Sequence, residues 1–377
     1  MRPLGGLATR AKDGDASGNF VAASTSSGAE AAAATLSTSI RSSRSRRHNC
    51  TSAGRSMGAA TALCSGMSNR LLPALFVIGS LKTGTTSLWS QLVDNSEKHV
   101  LPGALTDKGD VSRKEKDFFG DPTMWRRGRR WYENIWPACP AATSGGVIRV
   151  GVDATPAYHV WHAAPANMHA FYGPSLAPRL RHVWMLRDPV SKFWSYFWEL
   201  KAYRGEWDKV RFPDWVAPKL ARTRECLAKD PSHPLWPPSM PPPFANCAPH
   251  LDHGLYEPQM RRWLEFFAPS QFLLVSFAGY ARRPAAVVRD VLLHAGLPAR
   301  VAIAAASRLR GTKNKNSKVL GRGRMPPRLR EELHQLYDPF VERLYALIRE
   351  RGISVTPCEH QGARFLDDPD FVNASRA

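Results

Sequence analysis

The chain has 377 residues, 43% hydrophobic and 10% aromatic, enough apolar material for one large domain or two modest ones, which excludes a wholly disordered protein. Its 52 lysines and arginines against 32 acids give +20; the first 70 residues, with nine basic and three acidic side chains, leave +14 for the remainder. A field of that sign attracts polyanions (nucleic acid, an anionic membrane face, a nucleotide or an acidic polysaccharide) without choosing among them, and a solvated basic surface is the plain alternative.

Residues 1–70 are rich in Ala, Ser and Gly and bear arginines, as in AEAAAATLSTSIRSSRSRR, which predicts a disordered or targeting extension. From Leu72 onward, strand-like and helix-like stretches alternate as in βαβ units, so the fold class expected is α/β: a parallel β-sheet flanked by helices, in one domain over 71–355, with a C-terminal tail over 356–377. ALFVIGS predicts a buried strand and residues 85–93 a helix, while VIRVGVD (147–153) and RHVWMLRDP (181–189) predict two more strands. Helices are expected over 191–203, 255–267 and Pro284–His294, with the strand QFLLVSF (271–277) between the last two. Over Pro327–Arg351, the residues Leu329, Leu333, Leu336, Phe340, Leu344 and Leu347 recur at helical spacing. Residues 204–253, which contain HPLWPPSMPPPF, look too proline-rich for regular structure and are expected to form a surface insertion near the substrate face. No apolar run reaches 18 residues, so no membrane span is visible.

The six cysteines (Cys50, Cys64, Cys139, Cys226, Cys247, Cys358) include no CxxC pair, which argues against a zinc ribbon. Cys226 and Cys247 bracket the proline-rich insertion, where a disulfide can form in an oxidising compartment; free buried thiols are the alternative. The histidines show no HExxH and no ligand-spaced His/Cys pairs, so no metal is expected, and His159 and His162 read as a partly buried or surface pair. Asn49 and Asn373 sit in glycosylation sequons.

The chemistry begins at GSLKTGTTSL (79–88). A turn between a parallel strand and a helix presents backbone N–H groups at a helix N-terminus, where the helix dipole also favours an anion. The Walker A pattern needs its lysine after the second glycine; here Lys82 precedes Gly84, so a P-loop nucleoside triphosphatase or kinase does not fit. The stretch resembles instead the 5′-phosphosulfate loop of sulfotransferases that use 3′-phosphoadenosine 5′-phosphosulfate (PAPS). That resemblance implies that Lys82 reaches the phosphosulfate and that Thr83, Gly84, Thr85 and Thr86 hold the 5′-phosphate. A second element follows in MLRDPVSKFWSYFWE, where Arg187 ends a strand and Ser195 lies eight residues on, within a helix. The family binds the cofactor's 3′-phosphate with an arginine and a serine so placed, and a guanidinium fork suits phosphate oxygens.

RKEKDFFG (113–120) looks like the Lys-Glu-x-x-Phe-Phe segment of heparan sulfate 3-O-sulfotransferases and related N-sulfotransferase domains, which implies Glu115 as the catalytic base and Asp153 as second choice. GVDATPAYH (151–159), GLYEPQMRRWLEFF and PRLREELHQLYDPFVERLYALI resemble further segments of that group, so the likeness spans roughly residues 72–351. The chain departs from the pattern at Asp153–Ala154, where the family has Glu-Lys, and at Lys116–Asp117. In the basic loop 313–327, Lys318, Gly321, Arg322 and Gly323 are expected to close over the nucleotide. The resemblance implies PAPS as co-substrate, no metal, a glycan acceptor and a Golgi-lumenal enzyme. An organelle remains the alternative compartment, because the N-terminus is arginine- and serine-rich and poor in acids. A small-molecule alcohol or a protein tyrosine is the alternative acceptor. From another class, a nucleic-acid-binding protein would explain the charge, yet no helix carries the base-reading cluster it needs. MWRRGRRWYENIW (124–136) mixes arginine with tryptophan, which suits an anionic glycan or an amphipathic helix with its tryptophans in the core.

Overall fold

A computed structural model describes residues 62–104, 111–140, 147–203, 209–229, 250–309, 324–357, 360 and 364–366. Six strands form one sheet: β1 (Pro73–Gly79), β2 (Val100–Pro102), β3 (Val150–Asp153), β4 (Arg181–Leu186), β5 (Phe272–Ser276) and β6 (Ser354–Thr356). They lie in the order β2-β3-β1-β4-β5-β6, with every neighbouring pair parallel. The helices are α1 (Thr85–Asn95), α2 (Val111–Lys114), α3 (Pro122–Trp125), α4 (Gly128–Asn134), α5 (Ala164–Leu176), α6 (Pro189–Tyr203), α7 (Phe212–Lys229), α8 (Tyr256–Leu264), α9 (Phe277–Arg282), α10 (Pro284–His294), α11 (Ala299–Ser307) and α12 (Pro327–Arg351).

The strands read as unbroken apolar runs because both sheet faces are covered. Alternation sends Phe76, Ile78, Trp184, Leu186 and Leu274 into one core and Leu75, Val77, Val183, Met185 and Val275 into the other. A third apolar cluster joins α6, α7 and α12 through Phe193, Phe197, Trp215, Leu220, Leu333 and Phe340. Expected strands and helices over 74–80, 85–93, 181–189, 191–203, 271–277 and Pro327–Arg351 all correspond to observed elements, with ends displaced by a few residues.

Three expectations need correction. The insertion 204–253 contains an 18-residue helix, α7, because Phe212, Trp215, Val216, Leu220 and Thr223 recur at helical spacing and are buried; Pro218 is accommodated within it. The prolines that made the segment look irregular concentrate in 234–243, outside the described residues. The folded unit also begins before residue 71, since Leu63 is buried in the core and Cys64 forms a disulfide with Cys139. Nor is the stretch after 355 only a tail, because Thr356, Phe365 and Leu366 are buried. Cys226 is disulfide-bonded, and Cys247, the partner expected for it, lies outside the described residues.

The Cys64–Cys139 bond closes a loop of 75 residues and fastens the segment before β1. Replacing both by serine is expected to lower unfolding free energy by about 2–4 kcal/mol, read by denaturant melts. Equal stability of variant and parent would show that the bond leaves the folded state unaffected.

Candidate active site

After β1 the chain crosses to β2 at one edge of the sheet, while β4 lies on the other side of β1. This reversal opens a crevice beyond the carboxyl ends of β1 and β4, where ligands of parallel α/β sheets bind. The loop Ser80–Gly84 leaves β1 at that end and is pinned to β4. Ser80 N–H donates to the Met185 carbonyl (2.9 Å) and Trp184 Nε1–H to Ser80 Oγ (2.9 Å). Thr83 is fully buried; its hydroxyl donates to the Ser80 carbonyl (2.7 Å) and accepts from Ser80 N–H (3.2 Å). So Thr83 shapes the loop from within.

Gly84 is the N-cap of α1 at φ 83°, a left-handed conformation that glycine adopts without a Cβ penalty, and a Cβ there would meet the Phe277 ring at 3.5 Å. Having no side chain, it gives α1 no capping bond, so no N-cap side chain competes with a ligand for the first-turn N–H groups. Thr85 is buried and Thr86 exposed on that turn. Lys82, at φ 64°, sends Nζ to within 2.8 Å of Glu199 Oε1 on α6.

Arg187 immediately follows β4. One guanidinium nitrogen donates to the Lys82 carbonyl (3.4 Å), and the group lies 4.6 Å from the centre of the Phe277 ring. Tyr256 O–H donates to the Arg187 carbonyl (2.9 Å), and Asp188 caps α6 by accepting from Ser191 N–H (2.6 Å). Ser195 is buried two turns into α6, one turn before Glu199. The structure thus brings Lys82, Gly84, Thr85, Thr86, Arg187 and Glu199 to one end of the sheet, with Ser195 on the helix that carries Glu199. Lys318, Gly321, Arg322 and Gly323 lie outside the described residues.

Glu115 stands beside α1. Lys114 Nζ, on a buried side chain, donates to Glu115 Oε1 (2.6 Å) and to Thr85 Oγ1 (3.3 Å), while the Glu115 side chain keeps 25% exposure. Asp153 sits differently. Ending β3 with no exposure, it accepts from Thr155 Oγ1–H (2.7 Å), Tyr132 O–H (2.9 Å) and Tyr158 O–H (2.9 Å). Burial pushes its carboxyl up to about 6 against the pull of these donors. Lys116, buried beside it and donating to the Ala104 carbonyl (2.7 Å), is lowered by burial to about 8. Thr155 Oγ1 in turn accepts from the backbone N–H of Lys116 (2.9 Å) and Asp117 (3.2 Å), so this network fastens the Glu115 segment to β3.

Sequence reasoning missed Lys114 and Glu199. Lys114 had a signal, since it fills the lysine position of the Lys-Glu-x-x-Phe-Phe segment, and so did Glu199, by its i+4 spacing from Ser195 on one helix face. The run 124–136 spans the end of α3 and all of α4, with Trp125 and Trp131 half-buried and Tyr132 and Trp136 buried; Arg127 covers the Trp131 ring at 4.9 Å, and Arg129 covers Phe171 at 4.3 Å while pairing with Glu133 (2.7 Å). His159 is buried with Nδ1 2.6 Å from the Pro156 carbonyl. Among the described residues no group of three His, Cys, Asp or Glu is placed to hold a metal, and no helix is long and apolar enough to cross a membrane.

The structure thus defines an α/β protein with a parallel sheet and with Lys82 and Arg187 gathered beyond the ends of β1 and β4. No family model matches the chain. Among curated proteins it is similar to the bifunctional heparan sulfate N-deacetylase/N-sulfotransferase 4 of Mus musculus, 22% identical over 228 residues, which are 58% of this chain and 22% of that protein. It is also similar to the heparan sulfate glucosamine 3-O-sulfotransferase 6 of Homo sapiens, 25% identical over 301 residues, 76% of this chain and 74% of that protein. The chain thus spans about a fifth of the length of the first of these relatives. Among solved structures, a sulfotransferase from Alicyclobacillus acidocaldarius superposes with a TM-score of 0.49 at 24% identity, covering 74% of this chain and 96% of that one. These curated likenesses are all to sulfotransferases.

Tyr158→Phe removes one donor from the ionised Asp153 and is expected to cost about 1.5–3 kcal/mol at pH 8. At pH 5, below the carboxyl's value of about 6, Asp153 is protonated and the cost shrinks. Thermal melts of variant and parent at the two pH values check this; an equal deficit at both would contradict an ionised Asp153 at neutral pH.

Proposed function

We propose that this chain transfers a sulfonate group from PAPS to a hydroxyl or amine of a carbohydrate acceptor, of the glycosaminoglycan kind or another anionic polysaccharide. The observation that carries this reading is the convergence of Lys82, Arg187 and the N-terminus of α1, which lacks a side-chain cap, on the crevice where the strand order reverses. The residues present suit a nucleotide with phosphates at both ends: the Ser80–Gly84 turn and the Thr85 and Thr86 hydroxyls toward the 5′-phosphate, and Arg187 with Ser195 toward the 3′-phosphate. Lys318, Gly321, Arg322 and Gly323 are assigned to the same nucleotide. The relatives' own names include heparan sulfate, which supports a sugar acceptor.

Sulfonate transfer forms a bond from sulfur to the acceptor oxygen or nitrogen as the sulfur–oxygen bond to the phosphate breaks. Lys82 stabilises charge on the departing phosphate oxygen, a contribution that grows toward the transition state. Glu115 takes the acceptor's proton: it is the partly exposed carboxylate tied to α1 through Lys114. Asp153, with no exposure and three donors already on its oxygens, acts through the placement of the Glu115 segment. The Cys64–Cys139 disulfide and the bonded state of Cys226 support an oxidising compartment, in keeping with the Golgi lumen.

Incubation with ³⁵S-labelled PAPS and a panel of glycans, small alcohols and tyrosine peptides is expected to label a glycan. Labelling confined to the alcohols or peptides would overturn the carbohydrate assignment, and no labelling at all would count against transfer. Glu115→Gln is expected to lower the rate by roughly 10²- to 10⁴-fold with binding of the spent nucleotide retained. A near-parental rate in that variant removes Glu115 from the base role. Arg187→Ala is expected to weaken PAPS binding by about 1.5–3 kcal/mol and to leave binding of an analogue lacking the 3′-phosphate unchanged. A loss with that analogue too would contradict the assignment of Arg187.

A further inference from the structure

Glu199 ends the MLRDPVSKFWSYFWE stretch without a role of its own in it, yet its Oε1 lies 2.8 Å from Lys82 Nζ, joining α6 to the loop after β1 across 117 residues of sequence. Both ends of this pair are held. The backbone of Lys82 is at φ 64°, between the buried Thr83 and the loop's bonds to β4, and Arg187 donates to its carbonyl. Glu199 follows Ser195 by one turn on the same face of α6. The two side chains keep 16% and 31% exposure, so water reaches the pair and its ends can separate without leaving a charge stranded in the core. A carboxylate at this position has the wrong sign for a site that receives phosphates, since it repels the ligand the surrounding cations attract.

We propose that Glu199 is a stand-in for the anion: it holds Lys82 in the free protein and gives it up when the nucleotide's 5′-phosphate arrives. The proposal rests on the nucleotide-binding reading above and adds to it a positioning residue. Binding is then an exchange of partners on one ammonium group. Apparent affinity is reduced by the share of free protein in which Lys82 is already paired, as for any site whose competent form is only part of the population. Lys82 accordingly contributes little net affinity for the spent nucleotide while remaining placed for the transition state, where charge on the departing oxygen is largest.

The test is calorimetric titration of 3′-phosphoadenosine 5′-phosphate into the full chain as parent, Glu199→Gln, Lys82→Ala and the double variant, at one salt concentration. Glu199→Gln is expected to bind roughly three- to tenfold tighter than the parent, and the gain is expected to vanish in the Lys82→Ala background. Glu199→Ala, which leaves no amide to hold the ammonium group, is the second variant and should show the same gain. Parental or weaker affinity in both Glu199 variants, with the parent binding normally, overturns the stand-in role. An equal gain with and without Lys82 overturns it as well, because Glu199 would then act only as a general repelling charge. Failure of the parent itself to bind the nucleotide is a different result: it removes the nucleotide reading, and this proposal with it.

Discussion

The site depends on one constraint, the fastening of the Ser80–Gly84 loop to the neighbouring strand. Ser80 is the joint: its N–H reaches the Met185 carbonyl, its hydroxyl receives the Trp184 indole, and its carbonyl receives Thr83. These bonds are made where β1 and β4 part company with the rest of the strand order, so the backbone that would wrap an anion is set by sheet pairing. Preorganised donors of this kind need no rearrangement when charge arrives, which is the condition under which electrostatic stabilisation is effective. Arg187 is aligned by the same pairing, because it is the residue that leaves β4, and its bond to the Lys82 carbonyl ties the end of β4 to the loop after β1.

Three carboxylates around the crevice are distinguished by burial. Asp153 has none of its surface in water and accepts from two tyrosines and from Thr155, whose hydroxyl oxygen in turn holds the backbone just after Glu115. Glu115 and Glu199 keep part of their surface and each holds a lysine, Lys114 and Lys82 respectively. A carboxylate that is already triply bonded and desolvated is poorly suited to receive a proton from a bulky acceptor, whereas one in a separable ion pair at a cleft edge can exchange partners. A basic field of this kind attracts anions without choosing among them, whereas the local pairs fix where the Lys82 and Lys114 ammonium groups lie.

The strand–loop–helix at Lys82 and the strand–helix at Arg187 were legible because strands buried on both faces give unbroken apolar runs and the candidate site residues fall at their ends. What sequence hid was whatever depends on the chain returning to itself. Glu199 is one more acid on an aromatic helix until α6 crosses the loop, and Cys64 finds Cys139 across 75 residues without any local signal. The three-residue strands β2 and β6 are too short to show a period. Helix α7 was masked by averaging: prolines crowded into 234–243 lent their character to a neighbouring stretch whose own apolar spacing is helical. In the arginine–tryptophan run at 124–136, Tyr132 and Trp136 pack in the core while Arg126, Arg127 and Arg130 stay exposed, a division that composition alone does not show.

Under the function proposed above, the crevice beyond β1 and β4 holds a nucleotide phosphorylated at both its 3′ and 5′ ends. Thermal melting of the full chain with 3′-phosphoadenosine 5′-phosphate, adenosine 5′-monophosphate or Mg·ATP tests it most directly. The account predicts a stabilisation of about 2.7 kcal/mol at a concentration one hundred times the dissociation constant of the first ligand. At the same concentration the 5′-monophosphate should give a markedly smaller shift and Mg·ATP none. A shift with Mg·ATP equal to or larger than that with the bisphosphorylated nucleotide would contradict it.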